Sequence, residues 1–368
     1  MAFNKKGKNE NNNETIDKFL NYPHDLNKTT KKLYNDQYLH KTNSTTENTD
    51  KIPLNYYNEP ESQPKPKKKS RKTIFNFFVS IILIYSVLFS ILTIAIYSMC
   101  AETDYVPDSL HRENFSEFVA SVSSTYNVLI IGTDKNTDGT SRSDTIMLVN
   151  INKVNNKVNL ISFLRDLWVD IPGHESSKLN SAYSLGGAEL LIETIKYNFD
   201  IEIHDYVQVD FQMFVEIIDQ INGVTVNITE KEAEFINRTT RQKVEVGKNT
   251  LNGEEALVYC RIRKLDSDFM RTYRQRKVIT SIIEKIKSQN AITTLNIARD
   301  VLPLIRTNIS PFKMTFLSFS IPSAINFELT QMRIPVDDSF SSEYINGQSV
   351  IVPDIELNKN KLHTNISS

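Results

Sequence analysis

Two clusters of side chains in this chain of 368 residues have the types and spacing needed to handle a phosphate group. The first is acidic. Gly132-Thr133-Asp134 is followed, after a short polar loop, by Ser141-Arg142-Ser143-Asp144-Thr145. Asp134 falls just past the end of one strand-like run, and Asp144 falls just before the next. Strand ends of this kind converge. Two carboxylates on a glycine-containing loop then offer a seat for Mg²⁺, which prefers oxygen ligands and shares itself with a phosphate. The same residues also suit plain turn capping, because Asp and Gly are turn formers.

The second cluster is basic. It runs from Arg261 through Arg263, Asp266, Asp268 and Arg271 to Arg274, Gln275 and Arg276. Arg261 and Arg263 alternate, so an extended segment puts them on one face. Arg271, Arg274 and Gln275 share a face of the helix that follows. Arg165-Asp166 adds a guanidinium at a strand-to-loop edge, and Lys178 is placed to face an anionic ligand. Arginine is the residue of choice for forked binding of phosphate oxygens. The alternatives are a solvated basic helix face, a nucleic-acid patch by composition and, around Lys178, an ordinary connection between helices.

The elements that must hold these residues alternate. Strand-like runs are Asn127–Ile131, Thr145–Ile151, Val158–Phe163, Trp168–Ile171, Tyr206–Phe211 and Val224–Ile228. Helix-like runs are Ala188–Tyr197, Phe211–Ile221, Gly253–Tyr259, Arg271–Lys287 and Thr294–Leu304. This order predicts an α/β sheet covered by helices on both faces. Gly186-Gly187 breaks one helical stretch in two, and Gly223 ends another just before a strand.

Composition averages conceal three unlike pieces. There are 43 Lys+Arg against 44 Asp+Glu, with 10 Gly and 2 Cys, which exclude collagen-like and disulfide-dense classes. Residues 1–72 carry a net charge of roughly +6 and few aliphatics, the signature of a disordered basic tail. No charged residue occurs from Thr73 to Ala101. That is longer than the about 20 residues a bilayer-spanning helix needs. We place the span at 73–99. The run is too long and starts too far from Met1 for a signal peptide. Met99 before Cys100 argues against lipoprotein cleavage. Lys and Arg crowd the N-terminal side, so the positive-inside rule puts the tail in the cytoplasm and the rest outside. That topology argues against a nucleic-acid partner. Residues 100–124 read as a stalk, and 125–368 as one folded domain. Cys100 and Cys260 are not expected to pair, and the six His never reach zinc-ligand spacing.

Taken together, the motifs resemble the LytR–CpsA–Psr family of cell-envelope proteins. The resemblance rests on Asn127 to Asp134, Arg142 to Met147, Arg165-Asp166, Lys178-Leu179-Asn180 with Ala182-Tyr183, and Gly186-Gly187. It continues through Tyr206 to Phe211, Asn222-Gly223-Val224, Leu251-Asn252-Gly253 with Ala256-Leu257, and Arg261 to Gln275. It covers about 127–290, in intact order. Arg333-Ile334-Pro335-Val336 and Phe163-Leu164-Arg165-Asp166 resemble an MsrR/Psr-like branch, although many relatives carry Pro where this chain has Leu164.

The resemblance implies a single-pass, membrane-anchored protein of a Gram-positive type envelope, with an extracellular three-layer α/β/α domain on a mixed central sheet. It implies transfer of an anionic glycopolymer, such as wall teichoic acid or capsule, from a polyprenyl diphosphate carrier to the muramic acid 6-hydroxyl of peptidoglycan. Carried over by position, Asp134 and Asp144 hold Mg²⁺ (or Mn²⁺). Arg165, Arg261, Arg263, Arg271 and Gln275 hold the diphosphate, and Asp268 orients the arginines. Asp134, Asp144, Arg165 and Arg263 carry catalysis. The prenyl chain needs an apolar tunnel, expected between helices 188–221 and 278–305. Two other readings stay open at this point: a polyprenyl diphosphate pyrophosphatase, and a non-enzymatic membrane-bound regulator.

Overall fold

A computed structural model describes residues 71–107, 115–135, 141–263, 265–319, 323 and 326–367. The basic tail expected over 1–72 lies outside the described residues except for its last two positions. The chain then enters helix α1 (Arg71–Cys100). Phe75–Cys100 within it is long and apolar enough to cross a membrane, and none of its most apolar stretch is buried.

The elements that follow are β1 (Asp104–Tyr105), α2 (Phe115–Ser123), β2 (Thr125–Lys135), β3 (Ser141–Asn152) and β4 (Lys157–Phe163). Next come β5 (Trp168–Val169), β6 (Ser177–Lys178), α3 (Leu179–Phe199), β7 (Asp205–Asp210), α4 (Phe211–Gln220) and β8 (Val224–Ile228). Then follow α5 (Glu230–Thr240), β9 (Gly247–Leu251), α6 (Gly253–Cys260), α7 (Asp268–Lys287), α8 (Ala291–Val301) and β10 (Arg306–Thr307). The chain closes with α9 (Pro311–Ser318), β11 (Glu328–Ile334), β12 (Phe340–Ile345), β13 (Gln348–Pro353) and α10 (Ile355–Ser367).

The central sheet has the order β1-β10-β7-β2-β3-β4-β11. It is mixed: β2, β3 and β4 are antiparallel neighbours, whereas β7 runs parallel to β2 and β11 parallel to β4. Alternation along β2 sorts its side chains. Leu129 and Ile131 join a core with Leu191, Ile195 and Phe199 of α3 and Leu362 of α10. Ile130, on the other face, packs with Met147, Leu160 and with Ile279 and Ile283 of α7. A third cluster holds Ile218, Ala256, Tyr259 and Val278 under the β8–β9 hairpin. Helices therefore cover both faces, as the alternation predicts.

A row of buried polar side chains fixes the register across four strands. Asn150 donates to Asn127 Oδ1 at 2.7 Å, Asn159 donates to Asn150 Oδ1 at 2.7 Å, and the Thr330 hydroxyl donates to Asn159. The four stand opposite one another in the ladder. A one-residue slip turns side chains to the other face and would leave these buried amides unpaired.

The stalk expected over 100–124 is largely part of the domain. Asp104 N–H donates to Ile305 O at 3.1 Å and Val106 N–H to Thr307 O at 2.8 Å, so β1 is an edge strand. Phe118 and Val122 of α2 are buried against Tyr126. The nonpolar spacing of Phe115, Phe118 and Val119 thus marks a packed helix. The fold also extends past the resembling region 127–290, because β11 completes the sheet and α10 covers it.

Candidate active site

The site begins with a bulge. Gly132 pairs with Thr145, but Thr133 pairs with Ser143, which leaves Asp144 as the extra residue on β3. A bulge bends its strand and re-aims the side chain. Gly132 is needed because a Cβ there would stand 2.8 Å from Thr145 Cβ. Asp134 lies two positions further along β2, opposite Arg142. Both acids sit inside strands and not at their edges: β2 and β3 run longer than the hydrophobic runs that suggested them.

Asp144 is gripped by arginines from two distant parts of the chain. Arg165 Nη1 donates to its Oδ1 at 2.5 Å, and Arg263 Nη2 donates to its Oδ2 at 3.0 Å. Arg271 Nη2 reaches its backbone carbonyl at 3.4 Å. Burial pushes the Asp144 carboxyl up, but the charges of Arg165, Arg263 and Arg271 outweigh it, and it titrates below the usual range. Arg165 is in turn backed by Asp166, whose other oxygen takes Lys178 Nζ at 2.9 Å. Lys178 is therefore spent on positioning Asp166. Leu164 is fully buried, and its N–H donates to Ile334 O at 2.9 Å, a bond proline could not make.

Arg261 caps the C-terminus of α6 and is not part of an extended segment. Ile262 turns into the core, so Arg261 and Arg263 still reach the site from either side of it. The Arg261 guanidinium lies 4.3 Å over the Phe211 ring and 3.9 Å from Asp134. Asp268, in the first turn of α7, holds Arg271 with both oxygens, at 2.8 and 2.9 Å. Burial pushes Arg271 down to about 10 despite that partner. Burial also raises the Asp268 carboxyl against the pull of Arg271 and Arg165.

Arg274 does not join this group. It is buried the other way, donating to Glu232 at 2.7 Å, to Asp266 and to Ile262 O at 3.3 Å. Glu232 also closes the capping box of α5 with Thr229. Arg274 thus braces the loop that carries Arg261 and Arg263.

One cavity gathers part of the site; Asp134, Arg165 and Asp268 are not in its lining and adjoin it through Arg261, Asp144 and Arg271. Asp144, Arg261, Arg263, Arg271 and Gln275 line it together with Gly132 and Asp210. Its remaining wall is apolar: Ile130, Val207, Phe211, Phe214, Ile217, Leu257, Val278 and Ile282. The tunnel walls expected from 188–221 and 278–305 are met only in part. Residues 188–199 lie in α3 on the opposite face of the sheet, whereas α4 and α7 from Arg271 to Ile282 do line the cavity. Sequence reading missed Asp210 and Phe211. Asp210 caps α4 by accepting from Met213 N–H at 2.9 Å, a signal visible as Asp before an apolar run. Cys260 also lines the cavity, but burial pushes its thiol up to about 12, so it offers no thiolate nucleophile.

A buried donor at this place lacks a protein partner. Arg271, which lines the cavity, has its Nε buried with no hydrogen bond among the described residues. Native structures rarely leave such groups unmet, so a ligand oxygen is the natural partner. The two carboxylates are hard donors of the kind Mg²⁺ takes one or two at a time, completing its shell from phosphate and water. Among the described residues no three His, Cys, Asp or Glu surround a common point.

Residues 93–366 match the LytR_cpsA_psr family. TagT of Bacillus subtilis (strain 168), named a polyisoprenyl-teichoic acid–peptidoglycan teichoic acid transferase, is 38% identical over 175 residues. That alignment spans 45% of this chain and 54% of TagT. TagU of Oceanobacillus iheyensis, with the same transferase name, is 31% identical over 315 residues, 81% of this chain and 95% of TagU. The regulatory protein MsrR of Staphylococcus aureus (strain COL) is 32% identical over 239 residues, 63% of this chain and 70% of MsrR. The structure of TagT bound to LIIa-WTA has a TM-score of 0.58 to this one at 26% identity, covering 72% of this chain and 97% of that chain. With the match running from the anchor helix to the last helix, the chain belongs to the LytR–CpsA–Psr family.

Proposed function

We propose that this protein transfers an anionic glycopolymer from a polyprenyl diphosphate carrier to the muramic acid 6-hydroxyl of peptidoglycan. One observation carries the reading: a single cavity lined by three arginines and two carboxylates and otherwise by a mostly apolar wall. Such a cavity suits a molecule that is a diphosphate at its head and a hydrocarbon behind. The transferase names of TagT and TagU and the LIIa-WTA held by TagT support the same class of donor.

In the reaction the acceptor oxygen bonds to the phosphorus that carries the glycopolymer. The bond to the bridging oxygen breaks, and polyprenyl phosphate leaves with that oxygen. Arg263, Arg261 and Arg271 face the charge that spreads over the phosphoryl oxygens, the usual source of catalysis in phosphoryl transfer. Arg165 and Asp144 hold this constellation before substrate arrives. Asp134 is the less engaged acid, with its nearest arginine at 3.9 Å, and is the better placed to take the hydroxyl proton. A Mg²⁺ held by Asp134 and Asp144 would neutralise diphosphate charge.

The basic run before α1 favours an orientation with the domain outside the cytoplasm. The test is transfer of a synthetic lipid-linked glycopolymer to peptidoglycan fragments, with and without Mg²⁺. Transfer is expected from the wild type and loss from an Asp134→Ala, Arg263→Ala double variant. Full activity in that variant overturns the site. Release of free glycopolymer phosphate with no peptidoglycan product identifies a hydrolase instead.

A further inference from the structure

We infer that α9 with Phe319 is embedded in the membrane leaflet on the domain's side, beside α1. The inference rests on the reading of α1 as the anchor. Its partner is the hydrocarbon of the bilayer.

The argument is one of depth. The apolar run Phe75–Cys100 has 26 residues, or about 39 Å of helix at about 1.5 Å per residue, against a hydrocarbon core of about 30 Å. Even if the whole excess of about 9 Å stands clear of the core on the domain's side, points further than that from Cys100 are inside it. Phe89 lies about 16 Å back along the axis from Cys100. The Phe319 ring sits 5.5 Å from the Phe89 ring. Phe89 is therefore at least about 7 Å inside the hydrocarbon, and Phe319, 5.5 Å from it, is inside by at least about 2 Å.

The domain has no room to swing away. Thr103 Oγ1 donates to Cys100 O at 2.8 Å, and by Asp104 the chain is already an edge strand of the sheet. The surface of α9 beside α1 is apolar. Phe312, which shares a cleft with Ile94 and Tyr97 of α1, is 57% exposed and Phe319 42%. The one charge on α9, Lys313, is turned inward, 3.6 Å from buried Asp205 and 5.2 Å over the Phe118 ring. A helix that keeps its cation inside the protein and shows phenylalanine outside suits lipid and not water.

This placement deepens the proposed function. Ile297 and Val301 of α8 pack on the cluster that contains Cys260 and Val278, two residues of the cavity wall. One helix thus backs the cavity wall and touches α1, an arrangement that suits entry of a prenyl carrier from the leaflet side.

The test uses the full chain with its single Trp168 replaced (Trp168→Phe), reconstituted in vesicles of dioleoylphosphatidylcholine and dioleoylphosphatidylglycerol. Brominated phosphatidylcholine serves as the quencher. Separate Trp probes are placed by Phe319→Trp, by Phe312→Trp, by Phe89→Trp in the span, and by Tyr344→Trp. Tyr344 is on the β12–β13 hairpin beside the β4–β11 side of the sheet and is 76% exposed. Quenching of the Phe319→Trp and Phe312→Trp probes within about twofold of Phe89→Trp, with none for Tyr344→Trp, is the expected result. Quenching of Phe89→Trp with Phe319→Trp and Phe312→Trp behaving like Tyr344→Trp overturns the inference and leaves the anchor standing. Absence of quenching at Phe89→Trp overturns both. None of these outcomes depends on transferase activity.

Discussion

Arg165 Nη1 donates to Asp144 Oδ1 at 2.5 Å, joining the end of β4 to the bulge in β3. Because Arg263 takes the other oxygen, one carboxylate sets the position of two guanidinium groups. Catalysis by fixed charge depends on such groups being in place before the transition state forms. We expect Asp144→Ala to lower transfer by about 10²–10³-fold, the loss typical of one misplaced stabilising group. Asp144→Asn keeps the shape, loses the charge and is expected to fall in between. Turnover of the lipid-linked donor measures both, and an unimpaired Asp144→Ala variant contradicts the role.

Acid stability provides a second check. Glu232 titrates low: burial opposes this, but the Thr229 N–H and the Arg274 guanidinium outweigh it. Asp144 is depressed as well. A carboxyl whose folded pKa lies below its unfolded value contributes stability above the unfolded value, roughly pH 4, and loses it as pH falls through the folded one. The thermal midpoint should therefore hold from pH 7 to about 5 and drop below about 4. Glu232→Gln should lower the midpoint at pH 7 and flatten its decline toward pH 3. Asp268, raised by burial, works the other way, its contribution being lost as pH rises through its folded value. A midpoint that climbs as pH falls below about 4 would contradict the assignment of Glu232 and Asp144.

The sequence was most legible where local pattern and chemistry coincide. Val158–Phe163 reads as a buried strand because its neighbours on both faces are apolar, and it is one. The break at Gly186-Gly187 reads correctly because Gly187 takes a φ of 68°. Arg274 misled, because three arginines on one helix look alike in sequence. Its partner Glu232 is far away along the chain and only the fold brings them to 2.7 Å. The bulge at Asp144 was also hidden, since register is a property of two strands. Strands β1 and β10 are two residues each and carry no periodicity to detect.

Gly132 tests whether that bulge matters. An added Cβ would meet Thr145 Cβ at 2.8 Å and Oγ1 at 3.0 Å, on strands too central to move apart. Overpacking of this kind costs about 1–3 kcal/mol. Gly132→Ala is expected to lower stability by that amount and to lower transfer further, by shifting Asp144. Thr145→Gly removes the opposing Cβ, so the double variant should regain most of the lost activity. Chemical denaturation and the transfer assay read the two effects separately. Failure of the second change to help would mean that Gly132 acts through something other than this contact.

The Asp268–Arg271 pair separates what stabilises the fold from what serves the reaction. Arg271 is among the most buried side chains, at 1% exposed, and burial holds it down to about 10. Its carboxylate partner repays only part of that desolvation, and Nε stays unmet. Removing one member of a buried pair leaves the other uncompensated, at about 3–5 kcal/mol, whereas replacing both by apolar groups of similar size is often neutral or better. Asp268→Leu alone should therefore destabilise the domain strongly. Asp268→Leu with Arg271→Met should recover a midpoint at or above the wild type and show no transfer. Such a variant would be a folded protein without the arginine proposed to bind the diphosphate. If the double variant is as unstable as the single one, the pair is a structural ion pair and the idea of a cost borne for substrate binding is wrong.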